Sequence, residues 1–388
     1  MNTIEGGNRI RKLGVLSIAL LIFITNCTQL KTTSEMSKKL HALFEEDWEW
    51  RLKDSPELAT YIGDIRYNDR LRDLSFEAVE RRKAHEREML MRIKQIKRSR
   101  LSGQDAISYD LFFRNRQIAV EGQQYPNEWM PISQLEGPQI DFQVLAGLMP
   151  FNHVKDYENY IARLEAFPKY VDQVIDLMRR GIEMKWAQPA VPLRSVPAQI
   201  ESQITDDAFQ NPLYRVFDKF SPEISESERS RLKTTAQKSI TESIVPAFKR
   251  LDAFVKEIYL PACRREIAAS ALPNGKAYYE YSVRFATTTS LSPQEIHRIG
   301  LEEVKRIHQE METIIHQVKF IGSFQDFVVF LHSDPRFYYT KPEDLLMNYR
   351  DIAKRADAEL PRLFAELPRT PYGIIEIPAH LHVRDMRI

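Results

Sequence analysis

The chain has 388 residues, with 55 Lys and Arg against 54 Asp and Glu, so its formal charge is only +1. Hydrophobic residues at 43% and charged ones at 28% exclude a mainly disordered or collagen-like polypeptide. The balanced charge gives no reason to expect nucleic-acid binding, and only 13 glycines, about half the ordinary share, point to long helices rather than turn-rich sheet.

At the start, Arg9, Arg11 and Lys12 precede the apolar run Leu13 to Ile24. This run is too short for the ~30 Å hydrocarbon core, which needs about 20 residues, but it suits the h-region of a secretory signal. The following Ile24-Thr25-Asn26-Cys27 resembles a bacterial lipoprotein box, in which the cysteine becomes the first mature residue and carries a lipid. Residues 1–27 are therefore expected to form a lipoprotein-type signal and Cys27 the lipidation site. The body is then a membrane-anchored protein of the bacterial cell envelope, facing periplasm or exterior. A plain signal peptide or an uncleaved anchor is the other reading of the run. With Cys27 acylated, Cys263 has no disulfide partner and reads as a packed residue rather than a nucleophile. Removing residues 1–26 takes away three basic groups and one acidic one, which leaves a body of net charge −1.

The body reads as mainly α. Leu40, Phe44, Trp48 and Leu52 recur every fourth residue, one apolar stripe on one helix. Helices are predicted near 36–53, 76–100, 104–120, 155–184, 226–258, 276–286, 293–317 and 342–358, with Pro168 breaking or kinking the fourth. Ser292-Pro293-Gln294-Glu295 combines an N-cap serine, proline at N1 and a capping-box glutamate; Ser225 to Glu228 and Thr340 to Glu343 repeat the logic. Residues 124–151 read as an ordered loop and 187–198 as a proline-spaced connector. The best strand candidate is 372–378, β-branched and bounded by Gly and Pro.

Zinc hydrolases of the H-E-x-x-H type place two imidazoles one helical turn apart, with a glutamate between them to activate water. None of the nine histidines starts such a motif. His308, Glu312 and His316 share a helix face, but the surrounding Lys305, Arg306, Gln309 and Glu310 mark it as solvated. His380 and His382 lie in the last nine residues. The basic run Arg92 to Arg100 reads as a helix C-terminus whose cations complement the macrodipole. P-loop, nucleophile-elbow, C-x-x-C and G-x-G-x-x-G signatures are lacking. On the helix near 276–286, Tyr278, Tyr281 and Phe285 share a face and read as core. Tyr279, Arg284 and Thr288 are candidates for lining a substrate cleft, because a buried tyrosine hydroxyl or guanidinium needs polar partners.

Several ordered blocks carry a family resemblance: Ser55 to Gly63, Asn68 to Ser75, Tyr160 to Leu164, Leu272 to Tyr281, Thr287 to Thr289 running into Leu291 to Gly300, Asp334 to Thr340 and Leu360 to Arg369. Together they resemble the bacterial domain-of-unknown-function family 885 over about residues 40–381. That family is similar to zinc metallopeptidases of the H-E-x-x-H type. The resemblance implies a single helical domain over 34–381, incomplete and like the N-terminal part of that fold, followed by a non-family tail at 382–388. It also implies zinc for complete members. The zinc motif of relatives lies downstream of the segment matching Ile377 to Leu381, so the chain is expected to be truncated before it, to hold no cofactor and to be inactive alone. The alternative is a lipid-anchored helical module that binds a peptide or partner without cleaving it. The membrane, through the lipid, and a peptide ligand are the expected partners, with no nucleic acid among them.

Overall fold

A computed structural model describes residues 35–376. The described residues are helical, and apart from one isolated bridge between Pro189 and Arg264 they contain no β pairing. None of their helices is long and apolar enough to cross a membrane. They divide into two compact units that meet in sequence at Ser290 and Leu291.

The first unit opens with α1 (35–54), followed by α2 (Pro56–Tyr61), α3 (Phe76–Lys94) and α4 (Gly103–Gly122). The stripe on α1 is realised in part: Leu40 and Leu52 are buried and Phe44 packs at the edge of the core, but Trp48 is exposed and Leu43 takes its place facing inward. Leu40 and Leu43 are buried against Met89, Ile93 and Ile96 of the α3 end and against Ala106 of α4. The helix from Phe76 ends at Lys94 rather than near 100. Ile96 and Leu101 turn inward to this core, which forces the chain off the helix axis, and only a short turn, Arg98–Arg100, follows.

Next come α5 (Pro138–Leu148), α6 (Val154–Glu183) and α7 (Val196–Glu201). The stretch 124–151 is thus not a loop throughout. Gly137 adopts φ 124°, its N–H donates to the Asp141 side chain, and Pro138 starts a helix that buries Phe142, Leu145 and Ala146. Pro168 does not end α6, which runs on to Glu183. This helix is the axle of the unit. Its Tyr157, Tyr160, Leu164, Phe167, Val171 and Val174 are nearly all sealed from solvent, within a core that takes in α5, α7 and the helices after residue 225.

The predicted helix 226–258 is a longer composite rod of α8 (Glu226–Ser239), α9 (Val245–Phe254) and α10 (Leu260–Ala262). Two π turns, Ile240–Ile244 and Val255–Tyr259, join the pieces. Pro246 and Pro261 stand just after them. A proline inside a helix removes an N–H and crowds the carbonyl four residues back, and the wider π turn makes room for that ring. The unit closes with α11 (Gly275–Thr287).

The second unit comprises α12 (Pro293–Gln317), α13 (Phe324–Ser333) and α14 (Pro342–Leu363). Ser292 and Glu295 form the predicted capping box, and α12 has the predicted bounds. Helix α13 lies where no helix was expected, started by a second box of Ser323 and Asp326. The strand candidate is not realised over its described part, Tyr372 to Glu376. A strand needs a partner to pair its ladder. Here Ile374 instead gives its carbonyl to the Arg350 side chain, and the Tyr372 hydroxyl donates to Asp357.

One buried cation ties the first unit together. Arg163 of α6 is fully sealed from solvent and its hydrogen bonds go to carbonyls and a hydroxyl rather than to a carboxylate, with Glu57 and Asp69 acting on it only from a distance. Its Nε donates to the Arg70 carbonyl at 2.8 Å. Its Nη2 donates to Thr60 Oγ1 at 2.7 Å and to the Pro56 and Tyr67 carbonyls at 3.3 Å. Burial pulls its pKa down to about 10, yet a guanidinium at that value stays charged at neutral pH. Replacing Arg163→Met strands these buried acceptors, so a stability loss of about 2–4 kcal/mol is expected in urea unfolding followed by circular dichroism. A loss near zero would show that the loop 56–74 holds its shape without this side chain.

Candidate functional site

Cys27, the expected lipidation site, lies outside the described residues, as do His380 and His382. Tyr279, Arg284 and Thr288 all belong to α11 or its C-cap. Arg284 forms an ion pair with Glu121 of α4, and its own carbonyl accepts from Arg114 Nη2 at 3.3 Å. Thr288 ends the helix in the left-handed region at φ 58°, and Tyr279 is half exposed. The Thr288 N–H donates to the Arg284 carbonyl at 3.1 Å as the helix ends, but among the described residues no side-chain hydrogen bond or ring contact links the three to one another. The aromatic face of this helix divides: Tyr281 is buried and donates to the Ile118 carbonyl, Tyr278 packs on Trp186 and Tyr125, but Phe285 is exposed.

Zinc, implied by the family resemblance, finds no fitting ligand set. No group of three or more His, Cys, Asp or Glu among the described residues is placed to hold a metal ion. His308 stacks on Phe324 and its Nδ1 lies 3.4 Å from Glu312, so its ring is turned to a neighbour and a surface acid. Cys263 is a free thiol packed against the main core, and burial pushes its pKa up to about 11, which keeps it protonated and unreactive. Ser37, Asp105 and His41 come together, but the carboxylate sits between the other two, 2.5 Å from Ser37 Oγ and 2.9 Å from His41 Nε2. A nucleophilic serine needs the histidine in the middle.

Two sites emerge that the sequence did not reveal. The first is a charge network where α1, α3 and α4 meet. Buried Asp47 accepts from His85 Nε2 at 2.9 Å and pairs with Arg51 Nε at 2.8 Å. Arg116, also buried, grips both oxygens of Glu86 at 2.6 and 2.7 Å, and Trp50 stacks flat on the His85 ring at 3.6 Å. Burial opposes the charge on Asp47, but the His85 hydrogen bond and the Arg51 and Arg116 cations outweigh it and hold its pKa below the ordinary 3.8.

The second is a cleft of about 620 Å³ between α3 and α6. Phe76, Glu80 and Lys83 form one wall, Asp176, Arg179 and Arg180 the other, and the turn Asn127–Trp129 closes one side. Lys83 Nζ reaches Glu128 at 2.7 Å, and the Arg180 guanidinium lies over the Trp129 ring at 5.9 Å. Gly181 is required here: a Cβ on it would come within 2.9 Å of the Trp129 and Trp186 carbonyls, so only glycine lets this turn approach α6. Paired charges of both signs beside two aromatic rings can hold the backbone and side chains of an extended polar ligand.

Residues 56–383 match the family described as bacterial protein of unknown function (DUF885). No curated protein matches. Among solved structures, the crystal structure of a candidate lipoprotein from Colwellia psychrerythraea is similar, with 23% identity and a TM-score of 0.75 over 87% of this chain. The chain spans 61% of the length of that protein, and the likeness shows a shared fold.

Because Asp47 titrates below its ordinary value in the fold, the stability it contributes is present above pH 3.8 and lost as the pH falls through its folded pKa. The stability gap between the wild type and Asp47→Asn is therefore expected to be full at pH 7 and to close in strong acid. Denaturation curves across that range check this; a gap that stays constant would refute the pairing.

Proposed function

The chain belongs to the DUF885 family, and from that membership we propose that it is an envelope protein tethered through Cys27 whose helical body holds a peptide segment in the α3–α6 cleft without hydrolysing it. The cleft carries this reading. It is concave, walled by Phe76 and Trp129, and presents Glu80, Asp176, Lys83 and Arg179 at once. Such a lining suits a ligand with alternating donors, acceptors and charges. Hydrolysis of an amide needs a polarising cation or an activated nucleophile with a base in line; the placement of Asp105 between Ser37 and His41, which is not that order, supports the non-catalytic reading.

A second reading places hydrolysis in the family. The resemblance to H-E-x-x-H peptidases, with a structural relative of which this chain spans 61%, supports a metal held by a portion with no counterpart in the described residues. On that reading the helices here are the scaffold beside a zinc site rather than the site itself.

Three measurements separate these possibilities. Purified full chain is expected to carry zinc well below one per molecule and to release no product from a mixed peptide library, while a peptide from that library binds and quenches tryptophan fluorescence. Phe76→Ser, a change at an exposed wall position, is expected to weaken that binding about fivefold with the melting temperature unchanged, given the area such a ring buries. Stoichiometric zinc with turnover would overturn the non-catalytic reading. Cys27→Ala is expected to move the protein from the membrane to the soluble fraction; unchanged membrane attachment would refute the lipid tether.

A further inference from the structure

Beside the cleft, a smaller recess of about 300 Å³ is lined by Arg72, Arg82, the ion pair of Lys83 with Glu128, and the apolar Leu74, Pro131 and Leu177. With Lys83 neutralised by Glu128, the guanidiniums of Arg72 and Arg82 are the ones short of carboxylates. Asp54 is the acid they share: Arg82 Nη1 lies 3.3 Å from both of its oxygens, Arg72 Nη2 3.6 Å from one and Arg81 Nη2 3.7 Å from the other. Of the other acids nearby, Asp73 accepts from the Ser75 N–H and from Gln173, Glu57 accepts through one oxygen from the Arg72 backbone N–H, and Glu128 is taken up by Lys83 within the recess.

Three guanidiniums around one carboxylate repel each other unless a further anion joins them. Two observations mark that shortfall. Arg72 Nε is buried with no hydrogen-bond partner. Burial, and after it the charge of Arg72, draws the Arg82 pKa below its ordinary value despite Asp54. The groups are also held in place before any ligand arrives. Arg82 Nη1 donates to the Asp73 carbonyl at 2.9 Å, and the Leu74 N–H donates to Gln173 of α6 at 2.9 Å, so the strip that carries Arg72 is pinned at both ends.

We propose that this recess is an oxyanion site, in which Arg72 and Arg82 bind a carboxylate or phosphate group of a small ligand. Guanidinium donors match the geometry of either group, and the apolar wall of Leu74, Pro131 and Leu177 strengthens the charge-assisted bonds by keeping water off one side. The assignment does not depend on the larger cleft holding a peptide.

The test is calorimetric titration of the full chain, kept in detergent, with inorganic phosphate and separately with acetate. Saturable binding of at least one anion is expected, weakened roughly tenfold by Arg72→Gln and unchanged by Arg231→Gln, an exposed arginine remote in sequence and paired with Glu158 and Glu228. Tighter phosphate assigns a tetrahedral dianion and tighter acetate a carboxylate; both uphold the site. Wild-type protein gives a second readout that needs no variant: the bound anion should slow phenylglyoxal modification of Arg72 and Arg82 but not of Arg231. Absence of saturable heat with both anions, an affinity that Arg72→Gln leaves untouched, or modification of Arg72 and Arg82 that the anion slows no more than that of Arg231 overturns the proposal.

Discussion

The buried guanidinium of Arg163 is the constraint on which most of the first unit depends. A charge taken from water is costly unless its donors are satisfied. With no carboxylate in direct contact, the Nε and Nη2 donors of this one are taken up by carbonyl oxygens spread over residues 56–70 and by the Thr60 hydroxyl. Those oxygens can only be in place if the chain folds back on α6 in one way. The path of that return sets where Arg72 and Asp73 stand and where Ser75 caps α3. Helix α3 then forms a wall of the cleft. Three blocks of the family resemblance, Ser55 to Gly63, Asn68 to Ser75 and Tyr160 to Leu164, converge on this contact, so in this half of the chain they carry architecture. Arg163 Nη1 remains buried without a partner, which shows how fully the side chain is enclosed.

How much was legible follows from the range of the forces involved. Where local chemistry decides, sequence and structure agree: the helix over α1, the box at Ser292 and the bounds of α12 need only neighbours a turn away. Where a distant contact decides, they diverge. The basic run from Arg92 continues a helical pattern, but Ile96 and Leu101 are claimed by a core built from α1 and α4. Helices α5 and α13 are short and sit among turn residues, although Gly137-Pro138 with Asp141, and Ser323 with Asp326, were start signals in plain view.

The sites were less legible than the fold. Glu80, Lys83, Asp176 and Arg179 have the spacing and composition of solvated helix faces, and nothing in one sequence distinguishes a helix face turned to bulk water from one turned to a cleft. Arg284 read as a cleft residue because a guanidinium needs a partner. Its partner is Glu121, 163 residues away, reachable only once α4 and α11 lie side by side. The arginines around Asp54 come from two stretches, Arg72 ahead of α3 and the adjacent Arg81 and Arg82 within it, and form no motif. Charge balance, which looks uninformative over the whole molecule, becomes informative when counted within a recess a few ångströms wide.

The two π turns have an effect beyond accommodating their prolines. Along the composite rod the buried positions include a line at Leu232, Ala236, Ile240, Ile244 and Phe248, continued at Leu251, Val255 and Tyr259 and flanked by Ser239, Val245, Ala247 and Phe254. A strict spacing of four outruns the 3.6-residue pitch by about 40° at each step and would carry the stripe around the cylinder. Locally slackening the winding at 240–244 and 255–259 restores the phase. The sequence thus writes a period that an ideal α-helix cannot keep, and the rod answers with two corrections that leave one continuous seam along α6.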